Sequence, residues 1–410
     1  MPTRRRVQDE EAKQGRVEFS FPLLIVRIKT FTRVYDRLGA FGASRPVSWA
    51  AIIGMPILAS FGLYFIFSSL LTLLTTPAAR EIGRELGPQA YVLLPGINPY
   101  LPILYGWLAI IAAIMVHEGA HGVIARSLGF RVKSSGLLFF LVIPVGAFVD
   151  VDEEQMAKAK PKNSVRVLAA GPGANIAVAI VCLLGVLIIT SGLTPVVDGL
   201  YVFDVMEGMP AQDAGLQLKD VIISVDELPI TNFDDFKAIL DDKNPNDTIQ
   251  ITVARGEKWN DQFSTTAKLT EHNGSAYLGV SVGELLTEQR LRTYQKLATE
   301  TLYLHFMPPT LASGLVPFSE ALKDFYTHTL GENWHILANI FFWLWFVNVN
   351  VAIFNALPIY PLDGGRAFKS VLKSVLGRRA GGRIASRLTT VVAVILLSAI
   401  VMTIVLPFIM

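Results

Sequence analysis

Two histidines and a glutamate with the spacing of a metal-dependent hydrolase lie inside an apolar stretch of the chain. The segment reads His117-Glu118-Gly119-Ala120-His121. In an α-helix, positions i and i+4 share one face, so both imidazoles can reach one metal ion. Glu118 is turned slightly off that face, where it can take a proton from a water bound to the metal. This spacing predicts the chemistry of a zinc peptidase.

A catalytic zinc site needs three protein ligands and one open position. The single cysteine, Cys182, excludes a Cys-ligated site and an intramolecular disulfide framework. The third ligand is therefore expected to be a carboxylate or another histidine. Asp363 is favoured, because an ionisable residue near membrane depth is costly unless it is paired or metal-bound. The remaining histidines are the alternatives: His272, His305, His328 and His335.

The elements that carry these residues are expected to be membrane helices. Hydrophobic residues make up 52% of the 410-residue chain and charged residues 17%, which is too apolar for an ordinary soluble enzyme. The apolar runs long enough to cross a hydrocarbon core of about 30 Å are 47–75, 101–126, 165–193, 335–358 and 388–410. The prediction is a polytopic α-helical membrane protein with about five transmembrane helices.

Basic residues set the expected orientation, because Lys and Arg concentrate in cytoplasmic segments. They cluster before the first span (Arg4, Arg5, Arg6, Lys29), between spans two and three (Arg131, Lys133), and between spans four and five (Arg378, Arg379, Arg383). With five crossings these three segments share one side. The N-terminus is then cytoplasmic, and the first span is expected to be retained rather than cleaved as a signal peptide.

This orientation leads to a division of the chain into five parts. The metal site is expected to open towards the cytoplasm, because both halves of the motif fall in the inner part of their spans. The expected parts are a basic cytoplasmic segment (1–46), a first membrane part with three spans (47–193), an extracytoplasmic α+β domain (194–284), a linker that lies in the interface (285–334) and a second membrane part with two spans (335–410).

Substrate contacts are expected beside the catalytic helix. A peptide bond in a membrane helix is hidden by its hydrogen bonds, so a substrate must unwind before it is cut. The apolar stretch 136–150 is interrupted by Pro144 and Gly146 and is predicted to form a membrane-associated β-hairpin or re-entrant loop. Its edge would hold the unwound segment by strand addition. Asn355, close to Asp363, is a second candidate contact, with a helix-ending role as the alternative.

From about 101 to 377 the chain resembles the site-2 protease family of intramembrane zinc metalloproteases. The 117–121 motif is similar to the family's zinc motif, and Asn355 to Gly365 to its N-x-x-P and L-D-G motif; 170–175 and 146–150 are also similar to family segments. The resemblance implies one zinc ion per chain, held by His117, His121 and Asp363, with Glu118 as general base. It also implies substrate contacts at Asn350, Asn355, Gly146 and Phe148.

Residues 196–284 resemble a PDZ domain. The resemblance rests on three segments: the run 207–216, the segment Lys219-Asp220-Val221-Ile222, and a permuted carboxylate-binding strand made by Tyr277, Leu278, Gly279 and Val280. Met209 stands where the family usually has Ser. The domain is expected either to bind a new C-terminus or to exclude bulky ectodomains by size; the second role is favoured, because no cation lies beside 277–280.

The leading functional hypothesis is a zinc-dependent intramembrane endopeptidase. The resemblance implies substrates that span the bilayer, such as anti-sigma factors or transcription-factor precursors already cut by another protease, with the lipid bilayer and no nucleic acid as further partners. A PDZ-bearing membrane scaffold without activity and a zinc sensor or transporter are the alternatives. The scaffold would be indicated by loss of a motif residue, and transport has no need of the base Glu118.

Overall fold

The computed structural model describes residues 17–28, 31–41, 44–141, 143–377 and 381–410. The predicted basic residues Arg4, Arg5, Arg6, Lys29, Arg378 and Arg379 lie outside these ranges. The helices in chain order are α1 (Phe31–Ala40), α2 (Ser44–Thr75), α3 (Pro77–Leu86), α4 (Ile103–Ser127), α5 (Glu153–Lys158), α6 (Pro161–Ser191), α7 (Pro210–Asp213), α8 (Phe233–Asp241), α9 (Glu288–Gln295), α10 (Trp334–Ala356), α11 (Asp363–Val375) and α12 (Gly381–Ile409).

The strands form four separate sheets. They are β1 (Val17–Ser20), β2 (Leu23–Ile28), β3 (Val132–Phe140), β4 (Ile143–Val151), β5 (Thr194–Pro195), β6 (Leu200–Val205), β7 (Val221–Val225), β8 (Leu228–Pro229), β9 (Thr248–Arg255), β10 (Asp261–Lys268), β11 (Thr270–His272), β12 (Ser275–Tyr277), β13 (Val280–Gly283) and β14 (Tyr326–Thr327). Short 3-10 turns lie at Pro88–Tyr91, Glu257–Trp259, Leu302–Phe306 and Lys323–Phe325.

Within the described residues, five helices are long and apolar enough to cross a membrane: α2, α4, α6, α10 and α12. Their 23 to 32 residues correspond to roughly 35–48 Å of helix, against a hydrocarbon core of about 30 Å. Ile53, Ile57 and Tyr64 of α2 are each more than 60% exposed, so their natural solvent is lipid. The predicted polytopic helical membrane fold is confirmed, and its last helix begins earlier than expected, at Gly381.

Beside the catalytic helix α4 lies a sheet of four antiparallel strands in the order β1-β2-β3-β4. The sequence predicts only the hairpin β3–β4, and the structure adds two strands from the N-terminal segment. The close approach of β2 and β3 depends on Gly136, because a Cβ there would lie 2.3 Å from the carbonyl oxygen of Val26. Since β4 is the last strand in the order, its outer edge is unpaired within this sheet.

The short helix α1 packs against α4 and completes one wall beside the motif. The ring of Tyr35 lies over Gly122, where a Cβ would come within 3.1 Å of three ring carbons. Asp36 forms an ion pair with Arg126, and the backbone of Gly39 approaches Val123. The N-terminal segment is therefore attached to the helix that carries the two histidines.

Two compact units make up the chain. The first comprises the chain up to Cys182 together with Trp343–Met410, and the second is Leu183–Phe342. In the first unit the core beneath the motif contains many small side chains, which let membrane helices approach closely. Its buried members include Ala51, Ala125, Ala169, Ala170, Ala356 and Ala367.

The second unit contains the α+β domain expected between the two membrane parts. Its sheet has the order β10-β9-β7-β6-β13, with β8 beside β7, so the last strand of the domain lies at an edge. Alternating side chains of these strands are almost fully buried, as expected for a half-buried sheet. They form the core with the helix residue Phe236: Leu200, Val202, Ile222, Val225, Ile249, Ile251 and Val253.

Residues 285–334 pack against the α+β domain within the second unit. The Tyr201 hydroxyl donates to the Gly314 carbonyl, and the Phe325 and Trp259 rings stack with centroids 4.0 Å apart. The Tyr326 hydroxyl donates to the Leu285 carbonyl at 2.9 Å. The segment contributes several almost fully buried side chains to the unit: Leu286, Leu291, Tyr294, Val316, Phe318, Leu322 and Phe325.

Candidate metal centre

The motif lies in the second half of α4, and both histidines are buried. The rings of His117 and His121 are one helical turn apart, with centroids 4.8 Å apart in an edge-to-face arrangement. The nearest ligand atoms of His117, Glu118 and His121 all lie within 4.8 Å of one another. The helix therefore presents two imidazoles and one carboxylate to a common point.

Each histidine is held through the ring nitrogen that faces away from this point. His117 Nδ1 donates to Asn175 Oδ1 at 2.7 Å, and His121 Nδ1 donates to the carbonyl of Val167 at 2.7 Å. Both acceptors lie on α6. With Nδ1 protonated, the lone pair of Nε2 is the one available to a metal, and the rings cannot rotate without breaking these bonds.

Asp363 supplies the third donor atom. Its Oδ2 lies 3.0 Å from His117 Nε2 and 3.1 Å from His121 Nε2. Two ligands at about 2.1 Å from a tetrahedral zinc ion are roughly 3.4 Å apart, so the three atoms are spaced almost as zinc requires. Asp363 is the first residue of α11, and the sequence separation of 246 residues from His117 is closed by the packing of the membrane helices.

The space facing the two Nε2 atoms is kept open by Gly171 of α6. A Cβ built there would lie 2.5 Å from His117 Nε2 and 2.6 Å from His121 Nε2. A methyl group would thus take nearly the position that a metal bound to both nitrogens would occupy, since Zn–N distances are about 2.0–2.1 Å. The donor set and this open position fit zinc.

Two asparagines extend the site and were not singled out from the sequence. Besides accepting from His117, Asn175 donates through Nδ2 to the carbonyl of Ala113 at 3.0 Å and to Asn348 Oδ1 at 2.8 Å. Asn348 in turn donates to the carbonyl of Leu344 at 2.8 Å. Both asparagines are fully buried. Two sequence signals point to Asn175: its position at the end of the small-residue run Ala170 to Asn175, and the similarity of that run to a family segment.

Replacing Asn175 by Ala is expected to weaken zinc binding by about 10–100-fold, the usual effect of removing the partner of a metal-bound histidine. The change removes the acceptor of His117 Nδ1–H and the donor to Asn348 Oδ1. Zinc affinity of the purified protein, measured by competition with a chromophoric chelator, checks this. Thr190→Ala is the matched control, since Thr190 is also fully buried on α6 but its hydroxyl donates to the carbonyls of Val186 and Leu187 in the same helix. Equal affinities for wild type and Asn175→Ala would contradict the assigned role.

Glu118 is anchored to the edge strand of the sheet. Its Oε2 accepts from the backbone N–H of Val149 in β4 at 3.1 Å. One carboxylate oxygen is therefore fixed, and the other remains able to accept a proton. The same bond shows that the peptide group of Val149 points away from β3 and towards α4.

Two cavities meet at Glu118 and Val149. The larger, of about 980 Å³, is almost wholly apolar and is walled by α1, α2, α4, α6 and the β3–β4 hairpin, with Phe148 among its lining residues. The smaller, of about 280 Å³, contains both histidines, Asp363 and Asn355. Charged side chains surround its outer part: Asp150, Glu153 and Arg366.

The other residues expected at the site lie as follows. Asn355 donates to the carbonyl of Val351 at 3.1 Å within α10. Asn350 is exposed and donates to the carbonyl of Phe346 at 2.7 Å; it lines neither of the two cavities. Gly146 pairs with Leu138 in the β3–β4 ladder. The alternative ligands His272, His305, His328 and His335 belong to the second unit, and Asp363 is the residue brought to the motif.

The residues expected to form the PDZ groove lie at the end of the α+β domain. Leu278 is buried in its core, and its carbonyl accepts from Ala211 N at 2.8 Å. Gly279 has φ +79° and a Cβ there would lie 2.2 Å from Met209 Cβ, so glycine is required. Tyr277 is half-buried, and its hydroxyl lies 3.2 Å from Met206 Sδ. Val280 begins the edge strand β13.

Comparison with known proteins gives the family of the chain. Residues 105–399 match the sequence profile of Peptidase family M50. An uncharacterized protein of Methanocaldococcus jannaschii is 27% identical over 353 residues, which cover 85% of this chain and 78% of that protein. The zinc metalloprotease Rip1 of Mycobacterium tuberculosis is 24% identical over 192 residues, or 36% of this chain and 47% of that protein.

Among solved structures, the PDZ domain of the SdrC-like protein from Listeria monocytogenes is 25% identical, covers 22% of this chain and 96% of its own, and has a TM-score of 0.20. The match over residues 105–399 spans α6, α10, α11 and all of α4 except its first two residues, and hence includes His117, His121 and Asp363. This chain belongs to peptidase family M50, the site-2 protease family, as an integral membrane zinc metalloprotease.

Proposed function

We propose that the protein is a zinc-dependent endopeptidase that cuts transmembrane segments of other membrane proteins within the bilayer. The observation that carries the proposal is the convergence of His117, His121 and Asp363 on one point between membrane-length helices. Glu118 stands beside that point, on the wall of a large apolar cavity. The almost wholly apolar lining of this cavity suits an apolar substrate segment.

The substrate is proposed to occupy the apolar cavity as an unwound segment. The volume of this cavity, about 980 Å³, lies at the upper end of the range for ligand sites, roughly 300–1,000 Å³. The outer edge of β4 offers backbone groups for strand addition. The N–H of Val149 points to this edge and is bonded to Glu118. By the alternation of a strand, the N–H of Ala147 points to the same edge and would be offered to the substrate. Phe148 would then pack against substrate side chains, and Asn355 would bond to the substrate backbone from the smaller cavity.

His117, His121 and Asp363 would hold the zinc ion. When bound, zinc polarises the scissile carbonyl and lowers the pKa of a water molecule. Glu118 accepts the proton of that water at its free carboxylate oxygen and later delivers it to the leaving amine. The hydrogen bond from Val149 keeps the carboxylate oriented during both transfers. The same bond places the base directly beside the strand edge on which the substrate is proposed to lie.

The orientation is proposed from charge. The basic residues described between α4 and α6 and at the start of α12 favour a cytoplasmic position, which leaves the PDZ domain outside the cytoplasm. Its proposed role is to slow the approach of substrates with bulky ectodomains. The substrates would then be single-span proteins, such as anti-sigma factors or transcription-factor precursors, whose ectodomains another protease has already removed.

The test uses the full-length protein in bilayers with a single-span substrate labelled at both ends. We expect cleavage within the apolar segment, located by mass spectrometry of the two fragments. A zinc chelator should reduce the rate to background, and added zinc should restore it. A second substrate with the same span and a large folded ectodomain should be cut more slowly.

The outcomes separate the parts of the proposal. Cleavage only in the flanking polar segments, or cleavage that resists the chelator, would exclude a zinc enzyme acting inside the bilayer. Bound zinc without cleavage of any substrate would favour a sensor or transporter. Equal rates for the two substrates would remove the size-filter role of the PDZ domain and leave the protease assignment intact.

A further inference from the structure

Helix α11, which begins at the metal ligand Asp363, has two distinct sides along its length. At 100° per residue, Phe368, Val371, Leu372, Val375 and Leu376 fall within an arc of about 140°. Arg366, Lys369 and Lys373 occupy the adjoining arc of about 60°. Apolar and basic side chains therefore lie next to each other along one helix, the pattern of helices that lie in a membrane interface.

The apolar arc of α11 is largely exposed. Val371 is 47% exposed and Val375 is 78% exposed, and the exposure continues at Leu376. The fully buried residues of α11 lie in its first turns: Gly364, Gly365 and Ala367. Its last turn also approaches the start of α12, where a Cβ at Gly381 would lie 3.1 Å from the carbonyl oxygen of Lys373. An exposed row of valine and leucine is costly in water, so a hydrocarbon boundary is the environment that this side of the helix fits.

The basic arc of α11 has little opposing charge nearby. No Asp or Glu occurs from residue 364 to residue 410. Arg366 is 3.2 Å from Glu153, whereas the Lys369 ammonium lies over the ring of Tyr360, 5.1 Å from its centroid. Lys373 is exposed one turn beyond Lys369. Tyr360 is itself 53% exposed, and tyrosine is enriched at the level of lipid headgroups.

We propose that Tyr360, Lys369 and Lys373 form a binding surface for the headgroups of anionic phospholipids, and that the bound lipid holds α11, and with it Asp363, in position. The lipid-binding part stands without the protease assignment; its effect on cleavage rests on the proposed function. The occupant is assigned by charge complementarity, because a surface with two lysines, a tyrosine and adjacent apolar side chains matches a phosphate above acyl chains.

Helix α11 is joined to the metal centre through its own first turn, which packs tightly against the preceding backbone. A Cβ at Gly364 would lie 2.1 Å from the carbonyl oxygen of Ala356, and one at Gly365 would lie 2.4 Å from the carbonyl carbon of Ile359. The first turn of α11 is thus in backbone contact with the end of α10 and the turn that follows it. A displacement of α11 would therefore be transmitted through this contact to Asp363, the first residue of the helix.

The experiment compares full-length protein in phosphatidylcholine nanodiscs with protein in nanodiscs that also contain about 30 mol% phosphatidylglycerol, an anionic lipid. Amide hydrogen exchange of residues 363–376 and retention of zinc against a chelator are measured in both. We expect slower exchange and slower zinc loss with the anionic lipid. In Lys369→Gln/Lys373→Gln the apparent affinity for the anionic lipid should fall roughly 30-fold, and both effects should vanish.

Matched variants separate this surface from general attraction of a basic protein to a negative membrane. Arg383→Gln/Arg387→Gln removes the same charge, with the same spacing, from exposed positions of α12, and should keep both effects. Lys369→Arg/Lys373→Arg should restore them, because the charge is retained. Equal exchange of residues 363–376 in the two lipids, or loss of the effects in the α12 variant alone, would overturn the proposal.

Cleavage of a single-span substrate is recorded in the same nanodiscs, so that the two proposals fail in different ways. Absence of cleavage in both lipids, with anionic lipid still slowing exchange in α11, would refute the protease proposal and support the lipid surface. Cleavage that is equally fast in both lipids, with unchanged hydrogen exchange in α11, would support the protease proposal and refute the lipid surface.

Discussion

Glu118→Gln abolishes hydrolysis and leaves zinc bound: this is the expected result for the residue that acts as the base. The glutamine amide keeps the size of the side chain and can still accept from the N–H of Val149, but it cannot take a proton from water. Loss of general acid–base catalysis costs about 10²–10⁴ in rate, and here the same carboxylate serves both transfers. The measurement is the cleavage rate of a single-span substrate, together with the zinc content of the purified variant.

The control for this variant is Glu154→Gln, which makes the same chemical change at an exposed glutamate whose partner is Lys158. Its rate should equal that of wild type. Glu118→Gln that cleaves at the wild-type rate would contradict the assignment of the base. Loss of zinc along with activity would show instead that Glu118 supports the metal centre.

Gly171→Ala is expected to prevent zinc binding, because the added methyl group would lie 2.5 and 2.6 Å from the two Nε2 atoms. The rings cannot move aside cheaply, since each is held through Nδ1 by an acceptor on α6, the helix that carries the new methyl group. We expect zinc affinity to fall by at least the ~10–100-fold that follows loss of a partner of a metal-bound histidine, with loss of cleavage. Metal content by atomic spectroscopy and affinity by chelator competition provide the measurement.

Gly119→Ala is the matched control for this substitution. Gly119 lies within the motif itself, but a Cβ there has no neighbouring atom within 4 Å. Both changes place Ala in a helix and so stabilise that helix by roughly 0.5–1 kcal/mol relative to Gly. Helix content should therefore be preserved in both variants, and only Gly171→Ala should lose zinc. Normal zinc binding in Gly171→Ala would mean that the metal does not lie between the two Nε2 atoms.

The relative positions of some site residues follow from the geometry of one helix. The positions of the others depend on how several helices pack together. His117, Glu118 and His121 belong to a single helix, and its 3.6-residue period alone places them together. Asp363 was predictable because burying a carboxylate at membrane depth needs a compensating partner. Asn175 and Asn348 carry no such signal, since an amide on a membrane helix has many other partners, including the carbonyls of its own helix.

The N-terminal segment shows a second limit of local patterns. The sequence before α2 is polar and basic, and its two strands contain four and six residues. The strand β3, with which β2 pairs, lies more than 100 residues further along the chain, so the pairing of Arg27 with Gly136 has no local signal. By contrast, five long apolar runs and the alternating strands of the PDZ domain were recognisable from periodicity and length. Helix ends remained uncertain where charged residues continue a helix into the headgroup region, as in α12.

The two cavities that share Glu118 and Val149 have a consequence for where the reactants of the proposed reaction come from. A membrane-spanning segment partitions into an apolar environment, whereas the water molecule that the proposed hydrolysis consumes does not. In this protein the apolar cavity and the polar cavity share two lining residues, Glu118 and Val149. Neither reactant has to dissolve in the other's solvent: the segment can stay on the apolar side and water on the polar side until the proton is transferred. In the proposed reaction, selectivity would then depend on which segments can enter the apolar cavity as well as on their sequence.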